Sequence, residues 1–257
     1  MSDNLFKAEN LTKKFGELVA VNKLNFSLDH GEVLGLIGPN GAGKTTVFNC
    51  ITGVYTPTDG RTILEGEDIT GLQKWQVRRK GIARTFQTSR HLPELSLYDN
   101  IFVGALAEQD NKIINAVFRR KKFKNQVIKN MEKANELMSL FNEDMIDEGF
   151  TPASELSQID RRRLEVVRAL MMQSDLLLLD EPTAGMTETE SMEFVNDISK
   201  IRERFPELGI VIIEHDMLFI KGVSDRVLVL NYGEKIAEGQ YKQVAKNKQV
   251  KEAYLGE

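Results

Sequence analysis

An α/β fold with a helical lobe inserted in its middle is predicted by three observations. Short runs rich in Val, Ile and Leu alternate with segments of helical period. One of these runs, "EVLGLIG" (32–38), leads directly into a glycine-rich loop and a helix start. From about 91 to about 158 the strand pattern gives way to helix-like segments.

The elements follow in chain order. The continuous apolar run at 32–38 suits a strand buried on both faces of a mainly parallel sheet. A helix, "KTTVFNCIT", follows the glycine loop. "LYDNIFVGALAE" reads as a helix with Ser96 as its N-cap. A second helix is expected from about 122 to 141, where Val127, Met131, Leu137 and Met138 mix with charges. "FRRKKFK" (118–124) is the densest basic run. It reads as a solvated helix face, with contact to lipid headgroups or a membrane partner as the alternative. "DLLLLD" (175–180), "GIVIIEH" (209–215) and "RVLVLN" (226–231) are further buried strands. After Thr187, Phe194, Ile198, Ile201 and Phe205 fall on one helical face. These elements predict one domain, with a core at about 1–90 and 159–257 and a helical subdomain at about 91–158.

Composition narrows the class. In 257 residues, 41% hydrophobic and 28% charged content fits a soluble globular chain. A net charge of −4 gives no basic excess to attract nucleic acid, so none is expected as a partner. The single cysteine, Cys50, excludes an internal disulfide and fits a reducing cytoplasm. The N-terminal "MSDNLFKAEN" is polar, with no leader pattern. Apolar runs such as "LLLL" (176–179) are far too short to cross a bilayer, so work at a membrane would require another subunit as anchor.

"GPNGAGKTT" (38–46) matches a phosphate-binding loop through Gly38, Gly43, Lys44 and Thr45. The candidate nucleotide-binding residues are Gly38, Pro39, Asn40, Gly41, Ala42, Gly43, Lys44, Thr45 and Thr46. Glycines let backbone N–H groups curl around a β-phosphate, and the helix start adds a positive dipole end. Lys44 is expected to reach the β- and γ-oxygens, and the Thr45 hydroxyl to ligate Mg²⁺. "LLLLDEP" (176–182) places Asp180 to hold Mg²⁺ and Glu181 to polarise an attacking water. Alone, that tandem reads equally well as a strand ending in solvated acids; the loop upstream tips the balance.

At these residues the chain resembles the ATP-binding subunits of ABC transporters, over nearly its whole length. The resemblance implies a RecA-like phosphate-loop core with the inserted helical subdomain and N-terminal antiparallel β elements, using ATP and Mg²⁺. It implies that Gln87 in "RTFQ" senses Mg²⁺ and the γ-phosphate, and that His215 in "IIEHD" contacts that phosphate. With Glu181 these form the implied catalytic set, and Thr45, Gln87 and Asp180 the implied metal set. Phe15 in "KKFGELVAV" stands where the family stacks an aromatic on adenine, and a core role is the competing reading. Thr187 stands where the family more often has Asp or Asn.

More narrowly, "IGPNGAGKTTVFNCITG", "RTFQ", "RRLEVVRAL", "IIEHDM" and "AYLGE" resemble the ATPases of branched-chain amino acid importers. Importers of urea or short amides share much of this pattern. The resemblance implies ATP hydrolysis coupled to uptake through separate membrane permeases, from the cytoplasmic face of the membrane as a peripheral subunit. It also implies a head-to-tail pairing with a second, usually different, ATPase and an indirect link to a solute-binding protein. The surface near 88–93 is implied to press on a membrane subunit. Soluble ABC ATPases of DNA or ribosomes usually carry two such domains or a long coiled coil, and neither is seen here. A small-molecule kinase is opposed by the series Gln87, Ser157 and His215 and by the lack of an acceptor-site motif.

One motif departs from the family. Its signature is usually Leu-Ser-x-Gly-Gln, closing over the nucleotide of the partner. Here "LSQID" keeps Ser157 but puts Ile159 at the glycine and Asp160 at the glutamine. Ile159 resists positive φ and crowds close approach to phosphate. Asp160 either stabilises the helix start or repels phosphate. Two readings stand open: a weakened composite site, at the limit a nucleotide-gated subunit with poor hydrolysis, or a plain cap for the helix that follows.

Overall fold

The computed structural model describes residues 4–85, 92–106 and 120–255. It opens on a long hairpin in which β1 (Asn4–Phe15) pairs antiparallel with β2 (Leu18–Asp29). The register slips several times, and Asn10 and Lys23 sit in left-handed backbone at φ 51° and 44°. β3 (Val33–Ile37) leads through the glycine loop into α1 (Lys44–Ile51). β4 (Asp59–Leu64) and β5 (Glu67–Asp68) return to the hairpin, giving an antiparallel sheet of order β2-β1-β4-β5. Next come α2 (Lys74–Arg79) and β6 (Ile82–Arg84). The helical stretch holds α3 (Leu97–Leu106), α4 (Arg120–Ser139), α5 (Asp144–Asp147) and α6 (Gln158–Leu170). Then β7 (Leu176–Asp180), α7 (Glu188–Arg204) and β8 (Gly209–Ile213) alternate. The chain continues through α8 (Met217–Val223), β9 (Arg226–Asn231), β10 (Glu234–Gly239), α9 (Tyr241–Val244) and α10 (Lys248–Leu255).

The second sheet has the order β10-β9-β3-β8-β7-β6, parallel throughout except for the antiparallel edge strand β10. Every residue of β3, β7 and β8 is buried, as expected of strands covered on both faces. The fold is therefore the α/β phosphate-loop architecture with antiparallel N-terminal strands.

The chain divides into two compact units, 1–87 with 175–184 and 202–257, and 88–174 with 185–201. In the first, Val47, Phe48 and Ile51 of α1 share one apolar cluster with Leu5, Phe6 and Leu28 of the antiparallel sheet and Leu36, Val211 and Leu228 of the parallel sheet. The helix that begins at the phosphate loop is thus gripped by both sheets. In the second, α6 packs with α3 and α4, burying Ile101, Ala134, Leu137, Met138, Leu164 and Val167. Val127 of α4 remains exposed. Ser96 caps α3, its hydroxyl accepting from the Asp99 N–H at 3.1 Å. The fully buried Asn100 side chain donates to the carbonyls of Leu92 and Leu95 at 3.0 and 3.1 Å, fixing the entry to α3.

α7 buries Phe194, Ile198 and Ile201 and ends at Arg204, so Phe205 falls just beyond it. Thr187 opens this helix in a capping box: the Thr187 N–H and hydroxyl donate to the Glu190 carboxylate at 2.8 and 2.9 Å, and the Glu190 N–H returns to the hydroxyl at 3.2 Å. Threonine is among the preferred N-cap residues, though it ranks below Asp and Asn. No helix among the described residues is long and apolar enough to cross a membrane.

Because Phe48 fills the space between the two sheets, Phe48→Ala is expected to cost about 3–5 kcal/mol. Chemical denaturation of the purified chain checks this.

Candidate functional site

Parallel strands present their carboxyl ends at one edge, where ligands of open α/β sheets bind. Here that edge carries the loops after β3, β7 and β8. The loop after β3 has no room for side chains at two points. A Cβ on Gly38 (φ 154°) would lie 2.2 Å from the Leu230 carbonyl oxygen, and one on Gly43 (φ 103°) 2.4 Å from that of Ala20. Gly41 (φ 81°) faces open space, with nothing within 4 Å of a Cβ there. The Gly233 N–H pins the loop by donating to the Ala42 carbonyl at 2.9 Å.

Lys44 is buried at the start of α1, and its ammonium donates to the carbonyls of Gly38 and Pro39 at 2.7 and 3.1 Å. Burial pulls its pKa below the ordinary lysine range, opposed by the carboxylates of Glu181 and Asp180. The N-cap Gly43 offers no side-chain cap, and the first turn holds no acidic residue. The helix start thus has free N–H groups and no anion of its own to meet its dipole. Asn40, Gly41 and Thr45 are exposed beside it, and Pro39 and Thr46 are half-buried. Behind the loop, the Cys50 thiol is pushed up to about 11 by burial, against the pull of Lys13.

On the neighbouring strands, Asp180 is buried and ion-paired with Arg84 at 2.7 Å. Arg84 also donates to Asn49 Oδ1 at 2.7 Å, and its guanidinium lies 5.4 Å from the ring centroid of Phe48. Glu181 follows in left-handed backbone at φ 48°. For a non-glycine residue this strain costs about 1–3 kcal/mol and persists only where neighbours hold it. The Glu181 N–H donates to the Ile213 carbonyl at 2.9 Å, and its Oε1 lies 3.1 Å from His215 Nε2. The structure therefore brings Lys44, Asp180, Glu181 and His215 to one sheet edge.

Phe15 is 42% exposed, which removes the core reading. Its ring meets Tyr55 edge-on at 5.2 Å, and Lys13 Nζ lies 5.1 and 5.6 Å from the two ring centroids. Gln87 lies outside the described residues; of the surface near 88–93, Leu92 and Pro93 alone are described.

Ser157, in the second unit, is the N-cap of α6. Its oxygen accepts from the Asp160 N–H at 3.1 Å and its hydroxyl donates to the Asp160 carboxylate. Asp160 also pairs with Arg163 at 3.0 Å, and Arg163 with Asp197 at 2.8 Å. Ile159 sits in the first turn of the helix with 5% exposure, its side chain turned into the unit. Positive φ is not required at 159, so that objection to isoleucine does not apply here.

Tested against a triphosphate, the edge fits: an open cradle at Gly41, uncapped helix N–H groups and a buried cation. Thr45 and Asp180 are hard oxygen donors suited to Mg²⁺. No cluster of three or more His, Cys, Asp or Glu among the described residues would hold a metal unaided. Arg84 and Glu214 escaped the sequence reading. The available signal was a charged residue at the end of an apolar strand, in "IARTF" and "IIEHD".

A model of the ABC transporter family matches residues 21–184. The chain belongs to the ABC transporter ATP-binding family. A second model, of branched-chain amino acid ATP-binding cassette transporters, matches residues 234–257, from β10 to the C-terminus. This cassette is 37% identical to the high-affinity branched-chain amino acid transport ATP-binding protein LivG of Escherichia coli, with all of both chains covered. It is 37% identical to BraF of Pseudomonas aeruginosa, of the same description, again over all of both chains. Among solved structures it superposes on the ADP conformation of an ATP-binding cassette of an ABC transporter with TM-score 0.85, 31% identity and 99% of each chain covered.

Removing Arg84 would strand a buried carboxylate. Arg84→Met is expected to lower stability by about 3–5 kcal/mol; a denaturation midpoint unchanged from that of the unaltered cassette would contradict this role for the pair.

Proposed function

We propose that this ABC cassette is the ATP-hydrolysing subunit of an importer of branched-chain amino acids. The cargo follows from the descriptions of full-length relatives and from the C-terminal match. The observation that carries the chemistry is the Glu181–His215 contact at 3.1 Å on the sheet edge that also holds Lys44. The loop from Gly38 to Thr46 wraps the β- and γ-phosphates with N–H groups, and Lys44 leaves the carbonyls of Gly38 and Pro39 to meet them. Phe15 offers its exposed face to adenine, with Tyr55 bracing its edge. Thr45 and Asp180, with Gln87, would hold Mg²⁺, which neutralises charge on the phosphate oxygens. Glu181 takes the proton of the attacking water, and His215 hydrogen-bonds the γ-phosphate.

The subunit works peripherally at the cytoplasmic face of the membrane, paired head to tail with a second cassette. It drives separate permeases and receives solute indirectly from a binding protein. The signature favours an asymmetric pair. The Ser157 hydroxyl is committed to Asp160, and Asp160 to Arg163. The site completed by this chain's Ser157 is then the weaker one, and the site built on Lys44 and Glu181 the hydrolytic one.

In proteoliposomes holding the assembled transporter, leucine uptake should require ATP; uptake of urea in its place would reassign the cargo. Glu181→Gln should slow turnover about a hundredfold or more while ATP binding survives, accumulating a closed, ATP-loaded pair on size exclusion. Asp160→Gln should free the Ser157 hydroxyl and raise turnover about threefold or more, equal to ~0.7 kcal/mol of barrier. Turnover that stays flat would reject the asymmetry.

A further inference from the structure

We infer that Glu214 is a positioning residue that sets the geometry between Glu181 and His215. The inference rests on the reading of those two residues as the hydrolytic pair. Glu214 is 4% exposed, at the carboxyl end of β8, immediately before His215. Its carboxylate takes hydrogen bonds from two loops. One oxygen accepts from the Thr183 N–H at 2.8 Å and from the Thr183 hydroxyl. The other accepts from the N–H groups of His215 and Asp216 at 2.7 and 3.4 Å. Among the described residues no ion pair to Glu214 is found, so backbone and hydroxyl donors compensate its charge.

Both loops need such a hold. Glu181 is kept at φ 48°, and the residues after it must fix that conformation. Its own N–H is tied to Ile213, and Thr183, two residues on, is tied to Glu214. On the other side, His215 lies between Glu214 and Asp216, whose carboxylate caps α8 through the N–H groups of Leu218 and Phe219 at 2.8 and 3.1 Å. One buried carboxylate therefore clamps the turn that presents the base to the turn that presents the histidine.

A glutamine at 214 keeps the shape but carries a single acceptor oxygen. Whichever way the amide faces, an NH₂ group meets the donors of one loop, so one of the two loops loses its hold. An aspartate falls one methylene short of bridging both.

The test uses the full chain in the assembled transporter for kinetics and the purified full chain for spectroscopy. The sequence has three histidines, His30, His91 and His215, so His215→Gln assigns the His215 imidazole resonance. In E214Q the kcat for ATP should fall about tenfold to a hundredfold while its KM stays within about twofold. The His215 resonance should also move toward its position in E181Q. Thr183→Val removes one donor and is the gentler change, with a smaller shift in the same direction, should E214Q fold poorly. A residue that only stabilises the fold would lower the thermal midpoint without moving the His215 signal in the folded protein. A His215 resonance unmoved in both variants overturns the inference, whatever the turnover. An unaltered transporter with no ATP hydrolysis overturns the proposed function instead, and the resonance still decides Glu214.

Discussion

A desolvated ammonium at the head of a helix sets the terms for this cassette. Lys44 carries two unfavourable contributions. Burial withdraws its charge from water, and the dipole of α1 turns a positive end toward it. The carbonyls of Gly38 and Pro39 offset part of this, and the carboxylates of Asp180 and Glu181 another part. The first turn of the helix itself holds no anion. Gly38 lies close against Leu230 and Gly43 against Ala20, with no room for a side chain at either point. The apolar grip on α1 from both sheets holds the lysine where it is. The fold has thus placed a charge at the helix head and only partly compensated it.

The start of α6 shows the reverse condition. Ser157, Asp160, Arg163 and Asp197 are linked in series, with Glu193 and Lys200 joining at Arg163 and Asp197, and Ile159 packs inward. Fully satisfied polar networks rigidify the segment that contains them and leave little to offer a ligand. The two helix starts therefore differ in kind. One is short of an anion, whereas the other has supplied its own at Asp160. That contrast comes from two residues, since glycine and glutamine at 159 and 160 would bring neither a buried side chain nor a carboxylate.

Legibility in the sequence followed sequence distance. β3, β7, β8 and β9 could be read from continuous apolar runs, and α7 from its spacing, because those signals are local. The β1–β2 hairpin left no clean alternation, since its register slips near Asn10 and Lys23. At the site, Lys44 and the Asp180–Glu181 tandem were visible as motifs. The partnership of Arg84 with Asp180 spans 96 positions and that of Thr183 with Glu214 spans 31, and no local pattern carries either. Phe15 supported two readings from sequence, and its exposure sets the core reading aside. One objection to Ile159 came from the unusual backbone that the family glycine suggested, whereas here the position is ordinary helix.

The lone thiol has a practical corollary. Cys50 is buried and its proton is held to about 11, so at neutral pH almost none of it is the nucleophilic thiolate. Maleimides and thiol-directed spin labels should therefore react with it far more slowly than with an exposed cysteine. A cysteine introduced at an exposed position becomes a single addressable handle, so fluorophore distances across a working assembly are obtainable without first stripping the native sulfur.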